Sequence, residues 1–362
     1  MKAKDLPKLP NNSPFAIEAK AVVADYFQRT GKSPTGDWRL YFKTVFFLGI
    51  LFWDYYLIMS GVFIWWVYIV LLFVMSLAKA GIGFCIMHDA IHGSYSKYKL
   101  LNYLAGLTLN LLGANNKLWK TKHNEIHHTY VNIDTLDDDI EAKPLLRLHD
   151  GQRRRKIHKY QHKGWYWRTA YSLLLFQWFL WNDYKKYFTR KITYKENIKF
   201  SILDHIVFWL GKAVNITLFA YFPIVKFGFW YWVLGYVFVI RGTSLLISVV
   251  FQLAHVVDGV KHPTIQGMKN KDENDFFLHQ CSTTANFAVN NRFVTWFLGG
   301  LNFQRDHHLL PHVSHVHYPD IRKILIPLYQ KYKIPMLEYP TVRSAIRAHV
   351  KELKRLGEKP KE

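Results

Sequence analysis

Four stretches of this chain are long and almost wholly apolar, and they set its architecture. Residues Thr44 to Met59 form the first, and Val62 to Ala78 the second after the Ser60-Gly61 break. Residues from about Ile206 to Val225 and from Phe229 to about Val250 form a second pair. Roughly 20 apolar residues match the hydrocarbon core of a bilayer, so the pattern predicts four membrane-spanning helices in two tight hairpins. The first run contains Asp54, and Lys212, Asn215 and Arg241 interrupt the second pair. Charges inside spans face protein or a cavity rather than lipid.

Between the pairs, Leu100 to Leu112 is too short to cross. Trp165 to Trp181 carries Arg168 and flanking aromatics, which suits an interfacial helix lying in the membrane plane. The fold class expected is therefore an all-α integral membrane protein with a helical cap on one side. Its parts are an N-terminal segment (1–43), a membrane domain (44–340, spans about 44–60, 62–80, 206–225 and 229–250) and a basic tail (341–362), whose last roughly 15 residues are expected to fray as a soluble helix. The alternative, a soluble aromatic-rich helical protein, accounts less well for 13 Trp and 22 Tyr, rings that favour the water–lipid interface.

Charge then orients the spans. The net charge is +22, and 20 Lys and Arg lie between Lys97 and Lys199, whereas the turns on the other side carry only Lys226. The positive-inside bias puts the long middle segment and both termini in the cytoplasm, most simply at a bacterial inner membrane, with the endoplasmic reticulum as the alternative. The basic residues flank membrane segments, as does the run Arg153-Arg154-Arg155-Lys156, so anionic headgroups and acidic partners are expected and nucleic acid is not. Cys85 and Cys281 provide neither a disulfide framework nor a thiolate cage. No cleavable signal peptide is read in the polar first 43 residues.

The chemistry lies in histidine. His88-Asp89-Ala90-Ile91-His92, His123-Asn124-Glu125-Ile126-His127-His128 and Gln304-Arg305-Asp306-His307-His308 place imidazoles at spacings that share a helix face. Seven histidines exceed the four ligands of one structural zinc. Two spans separate the second and third clusters, an even number, so all three emerge on one side of the membrane. A metalloprotease needs His-Glu-x-x-His, which is absent, and haem takes only one or two axial ligands. The single Glu-x-x-His, Glu125 to His128, falls short of the paired motifs of soluble di-iron carboxylate bundles.

These three clusters, in this order and with these intervening spans, resemble the histidine boxes of the membrane fatty acid desaturases over most of the chain, from about Phe46 to Ile326. Gln304 opening the third box, Asp137-Asp138-Asp139-Ile140 after the second, and Gly299-Gly300-Leu301-Asn302 before the third are similar to the front-end, linoleoyl-CoA-desaturase-like branch. The resemblance implies a non-haem di-iron centre held by His88, His92, His123, His127, His128, His255, His307 and His308, with Gln304 a weaker or water-mediated ligand. It further implies that O2 and two electrons introduce a cis double bond into a long acyl chain carried by CoA, a carrier protein or a glycerolipid. One departure is Asp306, where that branch often has Glu. No His-Pro-Gly-Gly signature of a fused cytochrome b5 is present, so an acidic ferredoxin or cytochrome b5 is the expected donor. A lipid or carotenoid hydroxylase, ketolase or epoxidase is the alternative enzyme, and a membrane metal carrier or sensor the alternative of another class.

Among the remaining polar residues, Asp89 and Glu125 are candidates to accept the second N–H of a ligating imidazole; helix capping or solvation is the plainer role. His312, His315 and His317 are assigned surface or hydrogen-bonding roles, and His149, His158 and His162 are expected to be solvated. The run Asp134 to Glu141 lacks the alternate-ligand pattern and Gly of a calcium loop and is expected to cap the site.

Overall fold

The computed structural model describes residues 6–269 and 275–358; residues 1–5 of the N-terminal segment and 359–362 of the basic tail lie outside them. Among the described residues, four helices are long and apolar enough to cross a membrane: α1 (Trp38–Ser60), α2 (Trp65–His92), α3 (Ile202–Phe227) and α4 (Phe229–His255). Asp37 starts α1 by accepting the Arg39 N–H, and Gly61 stops it in a left-handed conformation at φ 77°. Gly228, at φ 85°, separates α3 from α4. α1 packs on α2, and α2 packs on α4. α1 and α3 bury little of their apolar surface within the chain, and Trp53, Tyr56, Ile206 and Leu210 stand outward. Apolar faces of that extent belong against lipid. The protein is a membrane protein.

The second long helix departs from the expected end near residue 80. It runs on through the first histidine cluster to His92, through a wider π turn at Ile82–Met87. Lys79 breaks the apolar run, but the run resumes from Ala80 to Met87, and this last part of the helix is enclosed by protein rather than lipid. Residues 99–106 and 109–112 are short helices, and residues 164–189 form a bent one that packs along α4. Tyr166, Trp167 and Tyr171 of that helix are buried, whereas Trp165, Leu180 and Trp181 are exposed.

The segment expected to fray is a packed helix, Val342–Gly357, with Ala345, Leu353 and Leu356 buried. Its His349 donates from Nδ1 to the Val256 carbonyl (2.5 Å), and its Nε2 lies 2.9 Å from Tyr171 Oη. Gln161 Nε2 donates to the Leu353 carbonyl and Arg147 Nη1 to that of Leu356, so the basic middle segment is sewn to this helix. A short parallel pairing, Asn286–Phe287 with Glu338–Tyr339, is the strand content among the described residues.

Candidate metal centre

Gly235 lies beside Leu72, Gly242 beside Ser76 and Ile247 beside Gly83, so α2 and α4 run in the same direction and their C-terminal residues His92 and His255 arrive at the same end. The π turn before His88 rotates the last turns of α2 and aims His88 and His92 inward. The second cluster sits on the helix of residues 116–130. Asn115 caps this helix by accepting the Leu118 N–H, and another π turn covers Thr121–His127. The third lies on the helix Gln304–Leu309. The preceding turn presses onto α2: a Cβ on Gly299, at φ 56°, would sit 2.4 Å from the Phe84 carbonyl oxygen. Only glycine fits that approach.

Here the three clusters and His255 meet. Ring nitrogens of His88, His92, His123 and His307 lie within 4.8 Å of one another, as do those of His127, His255 and His308; His128 makes a third group with His307 and His308. All eight rings are buried. The Nε2 atoms of His88, His92, His127, His307 and His308 find no hydrogen-bond partner in the protein. Nε2 of His123 and Nε2 of His128 stand 3.3 Å apart. Buried polar atoms are ordinarily satisfied, so a converging set of orphaned imidazole nitrogens fits metal binding.

The opposite ring nitrogens are held. His127 Nδ1 donates to the Asp137 carboxylate (3.0 Å), His308 Nδ1 to Gln280 Oε1 (2.9 Å), and His307 Nδ1 lies 2.9 Å from Tyr318 Oη. The Asp137 and Gln280 oxygens can only accept, so they fix the tautomer that leaves Nε2 of His127 and His308 free inside the cage, and the Tyr318 hydroxyl holds the orientation of His307. Asp139 Oδ2 lies 3.5 Å from His123 Nδ1 and its other oxygen pairs with Lys122. The Gln304 amide nitrogen is 3.2 Å from His255 Nε2. Burial, reinforced by neighbouring imidazoles, holds His128, His307 and His308 well below the ordinary histidine pKa. Burial also outweighs the Asp139 contact in lowering His123. These rings are neutral and carry the lone pair a metal needs. Burial opposes a charge on His127 too, but the Asp137 and Asp139 carboxylates prevail and raise its pKa.

Of the two carboxylates expected to brace an imidazole, Glu125 faces away from the cage and Asp89 is drawn chiefly to other partners while staying beside His88. Glu125 is exposed and pairs with Lys195, because residues next to a ligand on a helix point away from the ligand's face. Asp89 accepts from Ser314 Oγ (2.7 Å) and from Nδ1 of His315 (2.9 Å), leaving its other oxygen 3.8 Å from His88 Nδ1. His315 in turn meets Lys43 Nζ of α1 at 2.9 Å, so it is a buried link rather than a surface residue. His317 is buried, and His312 Nδ1 donates to the His92 carbonyl (3.1 Å). His149 and His158 are likewise buried, not solvated, and His149 Nε2 sits 3.5 Å from both Asp134 and Glu141. Asp306 turns away from the cage to accept from Asn286 Nδ2 (3.0 Å), and burial pushes its carboxyl up to about 7. The sequence reading missed the individual holding roles of Asp137, Asp139, Gln280 and Tyr318. For Asp137 and Asp139, an acidic run shortly after a histidine cluster was the available signal.

Comparison with known proteins adds an independent line. A family model described as fatty acid desaturase matches residues 63–340. The chain is 31% identical over 347 residues to an sn-1 linoleoyl-lipid 6-desaturase of Arthrospira platensis, covering 96% of this chain and 93% of that one. It is 34% identical to an acyl-lipid (8-3)-desaturase of Physcomitrium patens (96% of this chain, 72% of that one). It is 30% identical to an sn-1 linoleoyl-lipid 6-desaturase of Synechocystis sp. (92% and 93%).

Proposed function

The chain belongs to the fatty acid desaturase family, and from that premise we propose how its parts perform the reaction. It is an oxidoreductase that desaturates a fatty acyl chain. In our proposal His88, His92, His123 and His307 would hold one iron ion, and His127, His255 and His308 a second. His128, grouped with His307 and His308, would be a further ligand, and Gln304 beside His255 a weaker one. When bound, the two irons supply the activation of O2, with two electrons, that breaks unactivated C–H bonds. The protein's residues do the rest. Asp137, Gln280 and Tyr318 keep the imidazoles oriented, the buried cage excludes water, and the apolar wall of Met87, Trp119 and Phe251 presents a methylene to the site.

The observation that carries this reading is the converging set of buried imidazole nitrogens without protein partners. Two relatives are named as sn-1 linoleoyl-lipid 6-desaturases, which supports a lipid-bound linoleoyl-type acyl chain as the substrate, and we propose a cis double bond as the product. The arrangement we infer is two hairpins spanning the membrane, with the metal centre, its cap and both termini on the cytoplasmic side of a bacterial inner membrane. Fatty acid mass spectrometry with double-bond localisation, from cells expressing the chain, tests the reaction. A new cis-unsaturated acyl species is expected, and a hydroxylated species in its place overturns it.

Two further results follow from the arrangement. Asp137→Asn keeps size but removes the charge that fixes His127, and also weakens the bonds accepted from the Asn132 and Asp139 N–H groups. Loss of such an outer contact typically costs about 10–100-fold in metal affinity, which iron titration of the variant would measure. For electrons, we propose a separate acidic ferredoxin or cytochrome b5 docking on the basic cytoplasmic segments by electrostatic steering. Raising ionic strength from roughly 0.05 to 0.5 M shortens the screening length severalfold and should slow turnover at limiting donor. An unchanged rate rejects the docking.

A further inference from the structure

Along α2 and α4 two apolar spaces follow one another. One adjoins the metal centre, where Gly83, Met87, His88, Trp119 and Ile247 line a crevice pinched to about 10 Å³. The other, about 800 Å³, lies among the far halves of the long helices. Leu72, Met75 and Lys79 of α2, Phe219 of α3, and Tyr236 and Ile240 of α4 border it. Gly83 and Lys79 are one helical turn apart. A single turn of α2 therefore separates the space beside the metal from the much larger one beyond it.

Lys79 occupies that turn. Its side chain is buried, with Nζ donating to the Leu111 carbonyl (3.2 Å) and lying 3.5 Å from the centroid of the Phe219 ring. Leu111 is itself fixed, since its carbonyl also accepts from Asn215 Nδ2 of α3 (3.0 Å). The four-carbon stem thus crosses between α2 and α3 and is pinned at its far end by a carbonyl and an aromatic face. An ammonium group at this depth of a membrane helix is costly to keep and needs a reason.

We propose that Lys79 is the floor of the acyl channel and sets how many carbons fit between the reacting carbon and the methyl end. This rests on the desaturase reading above. The nine steps from Lys79 to His88 cover at most about 14 Å of helix at about 1.5 Å each, the π turn at Ile82–Met87 rising less per residue. An extended alkyl chain, with C–C bonds of about 1.5 Å at tetrahedral angles, advances about 1.3 Å per carbon. That length corresponds to roughly ten carbons, and seating them above the lysine requires the pinched crevice to widen around the bound chain. A longer tail must displace the pinned stem or fold back, and each methylene left without an apolar place costs about fourfold in binding. Removing the stem joins the channel to the 800 Å³ cavity and gives the extra methylenes room.

The test is a competition between acyl-lipids of increasing tail length, presented to metal-loaded wild type, Lys79→Ala and Lys79→Met. Product length and double-bond position are read by mass spectrometry. In parallel, binding of the same lipids is read as the shift in unfolding temperature, a measurement that needs no turnover. Wild type should discriminate against tails of more than about ten carbons beyond the new double bond. Lys79→Ala should raise the relative use and binding of a substrate two to four carbons longer by at least about tenfold. Lys79→Met, unpinned but still bulky, should move in the same direction by less. An unchanged length profile in Lys79→Ala overturns the proposal, and if that variant does not fold, an unchanged profile in Lys79→Met does so. Wild type that binds the lipids in this length order but yields no unsaturated product would instead refute the desaturase reading.

Discussion

Replacing His127 or His308 by Ala abolishes desaturation and lowers bound iron, while the long helices stay folded. Both rings are buried and turn an unpartnered Nε2 into the cage. Both are held from behind, by Asp137 and Gln280 respectively. Alanine supplies no lone pair, and a coordination set that also includes His255 loses one of its imidazoles. Little else should change. Neither ring lies in a long apolar helix, and residues of both clusters are braced by contacts outside the cage, such as the Gln280 Nε2 bond to the His128 carbonyl (2.8 Å). Metal analysis and circular dichroism of the purified variants check the two halves of the expectation. Full activity in either variant would refute the ligand assignment.

Asp183→Ala should destabilise the protein by about 3–5 kcal/mol, the usual loss when one partner of a buried ion pair is removed. The pair is Asp183 with Lys212 of α3, 2.9 Å apart, with side chains 1% and 8% exposed. Asp183 also accepts from the Asn115 N–H (2.8 Å) and Trp178 Nε1 (3.0 Å), while Lys212 donates to the Gly113 carbonyl (2.7 Å). Removal of the carboxylate strands an ammonium, an amide and an indole N–H in a low-dielectric space. Because Asn115 caps the helix that carries His123, His127 and His128, iron affinity should fall along with stability. Adding Lys212→Met to Asp183→Ala removes the stranded charge and should recover part of the loss. Unfolding in detergent, followed with and without iron, measures both effects. A double variant less stable than Asp183→Ala would show that Lys212 stabilises the fold independently of its partner.

Much of this was legible before folding. Apolar runs marked the four long helices because lipid demands uniform composition, and the parity of the spans placed His92, His128 and His308 on one side. The spacing within each cluster disclosed its common face. What escaped was geometry set by contacts distant in sequence. Gln280 and Tyr318 reach His308 and His307 only because separate helices pack around the cage. The π turns at Ile82–Met87 and Thr121–His127 have no periodic signature, yet they aim the first two clusters. Glu125 seemed suited to brace an imidazole by nearness along the chain, but a position two residues from His123 and His127 faces another way on the helix. His149 and His158, set among charges, read as solvated until the helix Val342–Gly357 is seen packed on their segment.

That helix also bears on how the protein is made. His349 holds the carbonyl of Val256, the residue immediately after His255 and the end of α4. Arg147 and Gln161, in the segment following the second histidine cluster, wait for carbonyls of Leu356 and Leu353. During vectorial synthesis the four long helices can enter the bilayer one after another. The cradle behind His255 stays open until a segment more than ninety residues downstream has left the ribosome (Val256 to His349 is a separation of 93). A metal ion meeting the nascent chain before that point would find the imidazoles present but the end of α4 not yet braced by His349.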